Sequence, residues 1–309
     1  SRSSRRLSSS IPASLPYLFR RETVFARSFS ANVVRESRAL GAEVRGLSLR
    51  ELDDAGFAKI QTLLLEHLVL FFPEQHLTPD EHRSCALRVG PREIHPCIPK
   101  LDDDHEEIVV LRAGGGYIAD VWHTDVTFDA SPPVCSVLNA LEMPAAGGDT
   151  MWSNQHLAYE ALSDPMKQLL AGLHARHDAA NYGHPEQHAI HPVVRKHPVT
   201  GRPSLFVNRQ FTRRIVELGR DESEGLLAIL FAHSEKPDFS CRYAWQPGTI
   251  GIWDNRCTQH CAVNDYQGER VISRVTILGD DPRAAFDEPR WEPHAPGRIS
   301  AATMGLDRA

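Results

Sequence analysis

Beyond Val33 the apolar residues of this chain come in short runs that end at glycine, proline or polar turn residues, and only a few segments carry a helical stripe. That rhythm constrains the fold class, because strands run about 4–8 residues with alternating faces, whereas a helix needs a longer 3.6-residue repeat. Leu40 to Leu47 reads as a short strand with a glycine turn, and Leu68 to Phe72 as a buried strand stopped by Pro73. Further strands are predicted at Ile108–Leu111, Val121–Phe128, Val134–Leu141 and after the Gly147-Gly148 turn. Pro192–Arg195 and Ser204–Val207 form a pair around the turn 197–202, and Cys241–Trp245, Thr249–Trp253 and Arg270–Leu278 follow. Helices are predicted after Asp53, carrying Phe57, Ile60 and Leu63 to Leu65, and from the cap Thr78-Pro79-Asp80-Glu81 to about Val89. Two more lie between Leu157 and Leu173, divided at Asp164-Pro165, and one runs from Glu222 to His233. The polar stretch from Ala175 to His191 reads as a loop or lid. Together these predict a mainly β protein with flanking helices and a double-stranded β-helix, or jelly-roll, core. One catalytic domain is expected over residues 35–285, followed by a C-terminal tail over 286–309.

Residues 1–34 differ in composition. Arg2, Arg5, Arg6, Arg20, Arg21 and Arg27 sit among serines with Glu22 as the only acid, which reads as a disordered or targeting extension. A cytoplasmic location is expected, or a mitochondrial one if that extension is a transit peptide. Six scattered cysteines in a chain of 309 residues fit a reducing compartment. No apolar run approaches the roughly 18 residues that a membrane span needs. A formal charge of −6 gives no basis for nucleic-acid binding.

Within the strand predicted at Val121–Phe128, His123 and Asp125 are two residues apart and so face the same way. One nitrogen and one oxygen then converge on a single metal-sized volume. Far along the chain, Ile252-Trp253-Asp254-Asn255-Arg256-Cys257-Thr258-Gln259-His260 leaves a strand, turns and presents a second histidine. Two histidines and one carboxylate make the facial set that suits non-haem Fe(II) with open coordination positions. The last strand adds Arg270 and Arg274 on one face, with Val271, Val275 and Ile277 on the other. A guanidinium facing a barrel interior cannot shed its proton and needs an anion, for which a bidentate carboxylate or sulfonate is a natural partner.

The strings WHTDVTF, GGDT, HPVVRKHPVTGR, LFVN, WDNRCTQH and SRVTILGD resemble the taurine dioxygenase group of the Fe(II)/2-oxoglutarate-dependent dioxygenases, over roughly residues 33–281. The resemblance implies an iron held by His123, Asp125 and His260, and 2-oxoglutarate whose far carboxylate meets Arg270 and the Thr150 hydroxyl. It implies O2 as oxidant, with succinate and CO2 as products. It also implies a small organosulfonate or sulfate ester as substrate, its anion held by Arg274, His95 and the backbone amide of Val126. Phe211 and Trp253 match apolar positions lining that pocket. Hydroxylation at the carbon next to sulfur or oxygen would release sulfite or sulfate and an aldehyde. Homo-oligomers, dimers or tetramers, are expected by the same resemblance.

The chain departs from the group at two polar positions that contact the taurine amine, where Ile98 and Ala119 stand. An ammonium there would lose its partners at about 1–3 kcal/mol each, which disfavours taurine itself. The same chemistry on a carboxylate such as an aryloxyalkanoate is the alternative. A zinc hydrolase with the same three ligands is more distant, since it gives Arg270 and Thr150 no role. His184, His188 and His191 have a zinc-like spacing without an acid or cysteine in register, and Cys257 and Cys261 read as small buried thiols.

Overall fold

In the computed structural model the described residues are 31–94, 98, 100–112, 119–286 and 293–294; residues 1–30 of the extension and nearly all of the tail lie outside them. The chain opens with Asn32–Arg35 (β1) and Ala42–Arg45 (β2), then runs through helix Asp54–His67 (α1) into Val69–Phe72 (β3). Helix Pro79–Val89 (α2) and strands Ile108–Arg112 (β4), Cys135–Glu142 (β5) and Thr150–Asn154 (β6) follow. Short helices Gln155–Glu160 (α3) and Asp164–Leu170 (α4) lead to His174–Ala179 (β7), His184–Pro192 (β8), Val194–Lys196 (β9), Pro203–Leu205 (β10) and Thr212–Ile215 (β11). Helix Arg220–Ser234 (α5) precedes Ser240–Tyr243 (β12), Ile250–Asp254 (β13), Thr258–Ala262 (β14), Val271–Ile277 (β15) and Arg283–Ala284 (β16).

The main sheet has the order β1-β2-β3-β13-β5-β15-β4, antiparallel except at β2 and β3. Strand alternation gives it two buried faces. Leu70, Phe72, Val137, Ile250, Ile252, Val275 and Ile277 pack with Phe57, Ile60 and Leu64 of α1 and with Cys85, Ala86 and Val89 of α2. Those helices start where the sequence caps them: the Asp53 carboxylate accepts from Gly56 N at 2.8 Å, and Thr78 forms a capping box with Glu81. From the other face Val69, Phe71, Leu138, Trp253 and Ile272 pack against Trp152, Cys241 and Tyr243 of a smaller sheet, β12-β6-β14. These two sheets are the jelly-roll core.

A second cluster of apolar residues joins α3, α4 and α5 to the remaining strands, with Leu170, Val193, Leu205, Ile215, Leu226 and Leu230 fully or almost fully buried. Here the sequence expectation needs correction. The stretch 175–191 is not a loop: β7 and β8 form an antiparallel hairpin around Gly183, and β11 pairs with the outer edge of β7. Its polar side chains concealed the strands, because the first five residues of β8 are exposed.

Candidate active site

His123 and His260 exchange backbone hydrogen bonds, His123 N to His260 O at 3.0 Å and His260 N to His123 O at 2.7 Å, so the His123 segment lies alongside β14 at the rim of the smaller sheet. Beyond that single bridge the expected strand at Val121–Phe128 does not form. The backbone turns at Asp125, with Val126 at φ 53° and Asp129 N donating to Val126 O at 3.0 Å. Positive φ in a β-branched residue costs on the order of 1–3 kcal/mol, so the surroundings must impose it. Asn255 does so on one side: its Oδ1 accepts from Asp125 N at 2.9 Å, and its Nδ2 donates to Asp125 O at 3.2 Å and Pro133 O at 2.9 Å.

The turn swings Asp125 toward the main sheet, where its carboxylate bridges both layers. Oδ2 accepts from Ser136 of β5 at 2.9 Å, and Oδ1 accepts from Arg274 Nη1 of β15 at 2.7 Å. The same Oδ1 lies 3.7 Å from His123 Nε2 and 3.9 Å from His260 Nε2. The three donor atoms lie within 4.8 Å of one another, and all three residues are buried. His123 Nδ1 sits 2.7 Å from Val121 O, which fixes the tautomer that leaves the Nε2 lone pair free. Burial lowers the pKa of both imidazoles, Asp125 only partly offsetting it at His123, so each is neutral at pH 7. Burial alone would raise Asp125, but the charge of the adjacent Arg274 guanidinium leads the opposing effects, and the carboxyl stays well below its ordinary range. Two neutral imidazoles and one carboxylate, aimed at one point, are the donor set a divalent iron requires, so the residues fit the ion.

Arg270 precedes β15 and is 9 % exposed, yet no carboxylate pairs with it among the described residues. Its Nε donates to Gly148 O at 2.8 Å and its Nη2 to Thr150 Oγ1 at 3.3 Å. Trp245 Nε1 donates to that hydroxyl at 2.9 Å. Burial depresses the Arg270 pKa, with Tyr266 and Asp149 only partly opposing it. A buried cation held by neutral acceptors is a site waiting for an anion. Gly148 has φ 72°, and a Cβ there would lie 3.1 Å from Arg270 Cδ, so the GGDT turn admits the guanidinium by having no side chain at that point.

The apolar wall is also in place. The Phe211 ring stands edge-on to His123 with centroids 6.2 Å apart, and Trp253 lies 4.8 Å from His260. Val126, Phe128, Ala179 and Phe211 form one buried cluster with Tyr182 beside it. His95 lies outside the described residues. Arg274, expected to face a substrate anion, holds Asp125 through Nη1, while its Nε is buried without a partner among the described residues. Sequence reading missed Ser136, Asn255 and Trp245. The inward phase of β5 marks Ser136, and Asn255 stands inside the WDNRCTQH string, but only the folded sheets show what each one holds.

The decoy histidines resolve differently. His191 is buried and its Nε2 reaches Thr127 O at 2.9 Å, whereas His184 and His188 are exposed. Cys257 and Cys261 are both buried. A second close group, His197, Asp254 and Cys257, is accounted for by Arg256, whose Nε and Nη2 grip both Asp254 oxygens at 2.8 and 2.6 Å.

Residues 33–276 match the model of the family described as "Taurine catabolism dioxygenase TauD, TfdA family". The chain is 39 % identical over 264 residues to an alkylsulfatase of Acinetobacter baylyi, covering 78 % of this chain and 83 % of that protein. It is 36 % identical over 269 residues to an alpha-ketoglutarate-dependent sulfate ester dioxygenase of Pseudomonas putida, covering 79 % and 88 %. The crystal structure of a taurine dioxygenase from Burkholderia xenovorans superposes with a TM-score of 0.75 at 36 % identity, covering 82 % of this chain and 93 % of that one.

Proposed function

The chain belongs to the TauD/TfdA family and is a dioxygenase dependent on Fe(II), 2-oxoglutarate and O2, and from that premise we propose that it oxidises a small sulfate ester or sulfonate. One observation carries an anionic substrate: Arg274, buried and already beside Asp125, has an Nε–H with no acceptor among the described residues, which supports an oxyanion seated next to the metal ligands. The names of the two bacterial relatives support the same class. Apolar Ile98 and Ala119 support an alkyl or aryl group over an amine in the rest of the substrate.

In this reading His123, Asp125 and His260 hold the iron, and Arg270 with Thr150 receives the far carboxylate of 2-oxoglutarate. Iron held there would supply the chemistry that couples oxidative decarboxylation of 2-oxoglutarate by O2 to conversion of a substrate C–H into C–OH. One oxygen atom enters succinate and the other the substrate. The protein's own part is placement: Arg274 and the Val126 amide fix the anion, which sets the adjacent carbon toward the metal. Phe211 and Trp253 keep the site apolar and exclude water. With a sulfate ester the product is a hemiacetal sulfate, which loses sulfate as the C–O bond breaks and leaves an aldehyde; an α-hydroxysulfonate loses sulfite as its C–S bond breaks and leaves the same class of product.

The test is a substrate panel of alkyl sulfates, alkylsulfonates, taurine and 2-phenoxypropionate, scored for succinate together with sulfate or sulfite. Expected is coupled release from an alkyl sulfate or sulfonate, with taurine poor. Oxidation of the phenoxy acid with no sulfur product from any other member would overturn the substrate class. Succinate that persists after His123→Ala would overturn the metal assignment.

A further inference from the structure

Val126 is 2 % exposed, and its N–H meets no acceptor among the described residues. A buried backbone N–H without a partner is rare and points to a ligand. Its direction is set by the left-handed backbone that Asn255 enforces from the Asp125 side. A second set of contacts grips the other side, and it comes from the hairpin sheet β11-β7-β8 and the loop beside it, not from the jelly roll.

Thr127 is fully buried. Its Oγ1 accepts from Asn208 Nδ2 at 3.0 Å and lies 3.0 Å from His177 Nδ1. Its carbonyl accepts from His191 Nε2 at 2.9 Å, and the same nitrogen reaches Asp129 O at 3.0 Å. Asn208 is itself fixed, its Oδ1 accepting from Phe211 N at 2.9 Å and its N–H donating to Thr212 Oγ1 at 2.9 Å. Thr212 Oγ1 stands 3.2 Å from His177 Nδ1 and closes the network. The residues gripping the turn after Asp125 therefore belong to the segment that also places Phe211 against His123.

We propose that Thr127 and Asn208 are positioning residues for the substrate anion: by pinning the turn around Val126 they aim its N–H, and through them the hairpin sheet sets the affinity for the sulfate or sulfonate group. The inference rests on the proposed substrate class. Neither residue touches a metal ligand side chain, Arg270 or Thr150, so the effect should be confined to the substrate.

The experiment compares Thr127→Val, Thr127→Ser and Asn208→Ala with the unaltered enzyme. Calorimetry under anaerobic conditions measures hexyl sulfate binding to protein loaded with Fe(II) and 2-oxoglutarate, with separate titrations of Fe(II) and of 2-oxoglutarate. Expected is about a tenfold loss of hexyl sulfate affinity in T127V and N208A, the factor that one or two lost hydrogen bonds produce. Fe(II) and 2-oxoglutarate should bind within about twofold of the unaltered enzyme, and T127S, which keeps the hydroxyl, should restore hexyl sulfate binding. KM should rise with kcat largely retained. Unchanged hexyl sulfate affinity in T127V, or an equal loss for metal, 2-oxoglutarate and hexyl sulfate, overturns the proposal. If the unaltered enzyme binds no sulfate or sulfonate and oxidises 2-phenoxypropionate, the substrate reading fails by itself, and the same comparison made with that acid decides the positioning role.

Discussion

Arg274 Nη1 donates to Asp125 Oδ1 at 2.7 Å, and that oxygen is also the one lying 3.7 and 3.9 Å from the Nε2 atoms of His123 and His260. One carboxylate oxygen is thus shared between a guanidinium and the metal position. Without metal, Arg274 supplies the counter-charge that a buried carboxylate needs. Removing one partner of a buried pair costs about 3–5 kcal/mol because the other is left uncompensated. Arg274→Met should therefore destabilise the metal-free protein by that order. Bound Mn(II) should recover much of the loss, since the ion takes over the charge. Thermal melts with and without Mn(II) check this: the metal-induced rise in Tm should be larger in the variant, and equal rises would show that Arg274 does not serve Asp125.

Arg270 presents the opposite case, a buried cation that no carboxylate pairs among the described residues. Arg270→Met removes an uncompensated charge, so the variant without co-substrate should be at least as stable as the unaltered protein. The co-substrate should then fail to protect it. Charged hydrogen bonds are worth about 1.5–3 kcal/mol, which corresponds to a rise in KM for 2-oxoglutarate of roughly ten- to a hundredfold. Gly148→Ala should do the same more mildly, through a Cβ placed 3.1 Å from Arg270 Cδ in a left-handed backbone. The readouts are the shift in Tm on adding 2-oxoglutarate and the KM for each substrate.

His197, Asp254 and Cys257 have metal-like proximity but already form a closed set. His197 Nε2 meets Asp254 Oδ2 at 3.0 Å, and its Nδ1 accepts from Val199 N and Thr200 N at 3.3 and 3.1 Å. With Arg256 on both oxygens, a cation would have to displace a guanidinium. One iron per chain is expected by elemental analysis after anaerobic reconstitution. His197→Asn should keep that ratio while losing about 1–3 kcal/mol of stability, and His123→Ala should lose the metal.

Much of this was legible before folding, for reasons that differ from place to place. Thr78-Pro79-Asp80-Glu81 announces a helix by local chemistry alone, and the capping box is there. Alternation along β15 sets Arg274 on the face opposite Val275, so its need for an anion is legible in the sequence, whereas Arg270 lies just before the strand and a register shift at Val271 and Ile272. At the ligand segment the sequence predicts a strand because Val126, Thr127 and Phe128 favour extension, while Asn255 and Asn208, 129 and 81 residues away from Val126 and Thr127, impose a turn. The β7-β8 hairpin was hidden by solvent-facing polar residues that give no alternation to read. Local propensity loses wherever distant side chains decide the backbone.

His82 tests the fold through pH, away from the metal. On α2 it is fully buried, with Nε2 donating to Val137 O at 3.0 Å and Nδ1 lying 3.3 Å from Ser273 Oγ, so it ties the helix to β5 and β15 as a neutral ring. Burial pushes its pKa down to about 4 from 6.5, the hydrogen bond to Val137 only partly opposing the shift. The unfolded chain therefore takes up a proton at this residue near pH 6.5, while the folded chain resists until about pH 4. Stability from this residue is complete above the higher value and is lost as pH falls across the window, by about 3 kcal/mol at most. In His82→Gln the amide can keep the donor to Val137 and cannot titrate. Urea unfolding at a series of pH values between 4 and 7 should show a shallower decline for H82Q than for the unaltered protein, and parallel declines would show that His82 is already protonated in the folded state.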